Sequence, residues 1–84
     1  MATLTHPTIH MNGTSKKELL EALQTAYLAI GEAKKALAQT SPNGRDYYPS
    51  GPDAINKAQD EHFDRMARLI SVQKELAEIA EGIQ

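Results

Sequence analysis

The chain has 84 residues, 40% of them hydrophobic, a formal net charge of -2 and no cysteine. That length supports one domain with a small core, and the lack of cysteine excludes disulfides and cysteine–zinc sites as staples. Acids and bases are interspersed, which excludes the basic footprint of a nucleic-acid or membrane-surface binder and leaves assembly with copies of itself as the remaining staple.

Residues 1–14 read as an extended N-terminal arm. Pro7 keeps its neighbour extended, and Thr8, Ile9, His10 and Met11 are β-formers. The stretch is too polar for a signal peptide, and no run of about 18 apolar residues exists anywhere in the chain. The expectation is a cytoplasmic protein. His6 and His10 share a face of an extended arm about 13 Å apart, too far for one metal ion. His62 lacks a Glu-x-x-His frame, so no metal site is expected.

Residues 15–84 form the helical domain, with helices expected at 15–39 and 53–82 and a loop at 40–52. Ser15-Lys16-Lys17-Glu18 is a capping box that opens the first helix. Along that helix Leu20, Leu23, Tyr27, Ile30 and Leu37 make one apolar seam. Ala22, Ala26, Ala29, Ala33 and Ala36 make a second, of side chains small enough to admit another backbone. Gly31 in the interior costs roughly 1 kcal/mol relative to alanine.

The loop is densely punctuated. Pro42 and Pro52 forbid helix, Asn43-Gly44 favours a turn with positive φ, and Ser50-Gly51-Pro52 favours a second turn. Between them Arg45 offers a bidentate fork for phosphate or carboxylate, while Tyr47 and Tyr48 offer stacking surfaces or anchors for a partner protein. The candidate binding residues are therefore Asn43, Gly44, Arg45, Asp46, Tyr47 and Tyr48, for a host protein or a small anionic ligand. The competing reading has the tyrosines closing the end of the helical core and Arg45 bridging to Asp46 or a helix end.

The second helix opens at Pro52-Asp53 and again carries two seams. Ile55, Ala58, His62, Leu69, Val72, Leu76, Ile79 and Ile83 follow one; Phe63, Met66, Ile70, Gln73, Ala77 and Ala80 follow the other. Glu61 with Arg65 and Asp64 with Arg68 are spaced for ion pairs on a solvated face. A helix with one neighbour needs one seam, so two seams per helix predict an all-α, antiparallel two-helix hairpin that assembles into a homo-oligomeric bundle. The expected oligomer seam is Ala22, Ala26, Ala29 and Ala33 with Phe63, Met66 and Ile70. No serine sits in a nucleophile frame, no thiol exists and no carboxylate pair stands out. A non-enzymatic protein without cofactor is expected.

T-I-H-M-N-G-T-S at Thr8–Ser15 and P-N-G-R-D-Y-Y at Pro42–Tyr48, each followed by a helical segment, resemble a family of small helical proteins encoded by tailed phages and prophages. The resemblance covers most of the chain. It implies a bacterial host cytoplasm and a phage-linked accessory role, and carries no activity with it. Small helical-hairpin phage proteins that sequester nucleotide immune signals are similar in size and build, which adds anti-defence binding as a fold-level analogy. The alternative is a scaffolding subunit whose bundle is itself the function.

Overall fold

The structure is a computed structural model that describes residues 4–83. The first three residues of the expected arm and the last residue of the expected helical domain lie outside it. Among the described residues the chain is all-helical, with three helices: α1 (Lys16–Ala38), α2 (Gly44–Tyr47) and α3 (Ala54–Gly82), and a 3-10 turn, Tyr48–Ser50, between the last two. The loop expected at 40–52 thus contains a helix of its own.

α1 starts where its cap dictates. Ser15 Oγ accepts the Glu18 amide at 3.1 Å, so the serine half of the capping box is formed. Its end is sealed by hydroxyls. Thr40 Oγ1 donates to the Leu37 carbonyl at 2.7 Å and Ser41 Oγ to that of Ala38 at 2.8 Å, alongside the backbone amides of the same two residues at 2.9 and 3.2 Å, and Pro42 then stops the helix. α3 starts differently from expectation. Asp53 occupies the N-cap position with helical dihedrals and its carboxylate makes no capping bond.

α1 and α3 lie side by side and run in opposite directions, since Gln73 meets Tyr27 and Lys34 while His62 meets Ser41. The remaining arm, 4–14, has no regular structure. A turn closes at Gly13, whose amide donates to the His10 carbonyl at 3.1 Å. Farther back, the His6 ring rests on Gly82 so closely that a Cβ there would collide with it, which explains the glycine at the end of α3.

The molecule measures 61 × 25 × 16 Å with a radius of gyration of 18.3 Å. A compact chain of this length would have a radius near 12 Å. Only one helix-on-helix seam separates the two long elements, so among the described residues only Ala58, Ile83, His62 and Gln73 are buried. Two of those four are polar, and both are held by side-chain hydrogen bonds rather than by packing alone. Gln73, grouped by its spacing with Phe63, Met66 and Ile70 on the second seam of its helix, lies between the helices. Of the two expected ion pairs, Asp64–Arg68 forms at 3.2 Å, whereas Glu61–Arg65 is not among the ion pairs of the described residues.

Candidate functional site

The tip that joins α1 to α3 is built by Asn43. Its Oδ1 accepts the Asp46 amide at 3.2 Å and its Nδ2 donates to Asp46 Oδ2 at 2.9 Å, so one side chain both caps α2 and fixes the residue at its third position. Asn43 has extended and Gly44 helical dihedrals. The expected positive-φ turn at Asn43-Gly44 is therefore absent, because the pair opens a helix rather than reversing the chain. Positive φ appears at Gly51 instead, with φ 107° and ψ 167°, where the 3-10 turn hands over to α3. That region is essentially closed to residues with a Cβ.

Six candidate residues thus separate by role. Asn43 and Asp46 are bonded to each other. Gly44 and Tyr47 line a shallow pocket of about 570 Å³ with Tyr48, Pro49, Pro52 and Ile55. Tyr48 is 84% exposed, and Arg45 is exposed with no hydrogen bond or ion pair among the described residues. The expected bridge from Arg45 to Asp46 does not form, since the Asp46 carboxylate is turned to Asn43. The tip therefore combines an ordered backbone, an open apolar pocket, a free aromatic edge and a free guanidinium.

A second polar cluster joins the end of α1 to α3, through a histidine that the spacing puts on a seam and a serine that it does not single out. His62 is 5% exposed on α3, and its Nε2 lies 3.1 Å from Ser41 Oγ at the end of α1. Ser41 commits its one proton to the Ala38 carbonyl, so the imidazole nitrogen is the donor in this pair. A serine nucleophile needs the reverse, a hydroxyl donating to the base. The pair joins the two helices and leaves His62 Nδ1 buried without a partner.

The third cluster is Gln73. Its Nε2 donates to the Tyr27 carbonyl at 2.9 Å and its Oε1 accepts from Lys34 Nζ at 2.7 Å. Gly31 makes the approach possible, since a Cβ there would stand 3.3 Å from the amide nitrogen. The glycine in α1 is therefore a seat for a side chain of α3.

The expected oligomer seam divides between the two sides of the layer. Leu20, Leu23, Gln24 and Tyr27 of α1 line one groove with Ala77 and Ala80 of α3, and Tyr27, Leu28 and Gly31 line the next groove along with Gln73. Phe63 and Ile70 precede Ala77 in steps of seven and so share its side. Ala33 precedes Leu37 by four and shares the opposite side, where Leu37 and Leu69 lie beside Arg65 and Arg68. Ala22, Ala29 and Ala33 are exposed, whereas Ala26 and Met66 are half-buried at the edges of the layer.

Among the described residues no three metal-ligating side chains gather, and no helix is long and apolar enough to cross a membrane. Comparison with protein families, with curated proteins and with solved structures gave no match.

Proposed function

We infer that this chain is a non-enzymatic binding protein that presents the tip at the end of an α1–α3 hairpin to a partner protein. The observation that carries this reading is Tyr48, 84% exposed on a segment whose backbone is held by caps and turns. A preordered aromatic beside a pocket loses little conformational freedom on binding, which is why tyrosine and arginine dominate interface hot spots. Arg45 supplies the directional contact, a planar fork for a carboxylate of the partner. The resemblance at the two short segments is the ground for seeking that partner in a bacterial cytoplasm, as an accessory factor of a phage or prophage acts there.

Photo-crosslinking tests the reading. A photoreactive phenylalanine at position 48 should give a discrete protein adduct in cells, lost on Arg45→Ala, while the same group at Asp60 should give none. Equal labelling from both positions would refute a tip-directed role. A second reading, a scaffolding subunit, is favoured by the large exposed surface of so small a chain, 6560 Å². Under that reading tip variants are neutral for function and variants on the faces of the layer are not.

A further inference from the structure

We propose that a second copy of this chain covers the side of the α1–α3 layer that carries Leu28, Phe63 and Ile70, giving an isologous four-helix dimer. The inference gives the scaffolding reading a specific surface and is independent of the tip.

Area is the first argument. A folded monomer of 9.2 kDa exposes about 4,900 Å², whereas this chain exposes 6560 Å². The excess, roughly 1,600 Å², exceeds the approximately 800 Å² that each partner buries in a standard interface. A layer 16 Å thick is one helix deep, and a second layer is the smallest addition that gives its seam a core on both sides.

The distribution of apolar side chains chooses the side. Phe63 is 68% and Leu28 58% exposed, and with Tyr27 and Ile70 they share one side of the layer; on the helices only Val72 among the exposed large apolar residues lies elsewhere. Phe63, Ile70 and Ala77 form a stripe about 21 Å long at heptad spacing, the spacing that packs against a second helix. The opposite side offers less large apolar surface. Its groove sets Leu37 and Leu69 beside Arg65 and Arg68, and the adjoining surface carries Asp60, Glu61 and Asp64. The chosen side also carries charge, with Glu32, Lys34, Lys35 and Glu81 lining its grooves, so its apolar stripe would form the centre of the contact and those residues its polar rim.

Closure follows from the choice of side. Because one patch meets itself through a two-fold axis, the assembly stops at two copies and leaves both tips free. Use of both sides at once would instead build an open stack.

Sedimentation equilibrium of the full chain at micromolar concentration should give twice 9.2 kDa. Phe63→Glu with Ile70→Glu should weaken association by at least about a hundredfold, with helical circular dichroism retained because neither residue is buried in one copy. Ala29→Glu with Ala33→Glu, on the opposite side, should leave the dimer intact. Phe63→Trp guards against a variant that fails to fold. The chain has no tryptophan, so the emission of this one should shift to the blue as concentration rises through dimerisation. A wild-type monomer across the concentration range, an emission maximum that stays solvent-like, or a dimer broken by the alanine-stripe variant and not by the Phe63/Ile70 variant would each overturn the proposal.

Discussion

Gly31→Ala isolates the contact that holds the two long helices together. Considered within α1 alone, the substitution stabilises by roughly 1 kcal/mol, the helix-propensity difference between alanine and glycine. Between the helices it has the opposite sign. The new Cβ would stand 3.3 Å from Gln73 Nε2, so the amide must retreat by a few tenths of an ångström, stretching its 2.9 Å bond to the Tyr27 carbonyl and disturbing the 2.7 Å bond from Lys34. Losing a net hydrogen bond costs about 1 kcal/mol, and a buried amide left without its acceptor costs about 1–3 kcal/mol. The expected balance is destabilisation by about 1 kcal/mol, or a thermal midpoint lowered by roughly 4–8 °C for a domain of this size. In a Gln73→Ala background the space is open, and the same Gly31→Ala change should stabilise by about 1 kcal/mol. The cycle therefore predicts a coupling of about 2 kcal/mol between residues 31 and 73. Urea unfolding followed by circular dichroism at one fixed protein concentration would measure it. Equal stabilisation by Gly31→Ala in both backgrounds would refute the view that the glycine exists to seat Gln73.

Three further variants probe the other local devices. Asn43→Ala removes both bonds to Asp46 and should cost about 1 kcal/mol, read as faster amide exchange confined to α2 with α1 and α3 unchanged. Gly51→Ala forces a Cβ into the φ 107° conformation and should cost about 1–3 kcal/mol in thermal unfolding, with no change in oligomer mass. His62→Leu removes a buried nitrogen that has no partner along with the bond to Ser41, which keeps its own bond to Ala38. Stability within about 1 kcal/mol of wild type is expected, because both changes offset each other, and a loss above about 2 kcal/mol would mean that the ring's polarity holds the helix ends together.

The long elements were legible because their ends are written locally. Ser15 three residues before Glu18 sets the start of α1 at its observed limit, and Pro42, four residues past Ala38, bounds its end. α2 was hidden by an ambiguity of chemistry. Asn-Gly is a turn signal, yet Asn43 three residues before Asp46 has the same N-cap spacing as Ser15 and Glu18, and the second meaning prevailed. The role of Gln73 was hidden for a different reason. Three-four spacing groups it with Phe63, Met66 and Ile70 on one seam, and only the level of Gly31 on the facing helix makes a buried polar site for it. Which side of the layer each seam occupies likewise depends on the rotation of both helices about their axes, which the buried pairs reveal and periodicity alone does not. At the tip, the residue types were legible, but their division into capping pair, pocket wall and free side chains required the fold.

Gln73 also acts as a ruler. Two helices joined through leucine and alanine seams can slide past one another by a turn, about 5.4 Å, with apolar contacts largely regained at each step. α1 contains one glycine, so only one level gives the amide of Gln73 access to a main-chain carbonyl without meeting a Cβ. At every other level the amide would be buried against hydrocarbon. The relative height of the helices is thereby fixed by one side chain, and with it the length of chain left to form the tip.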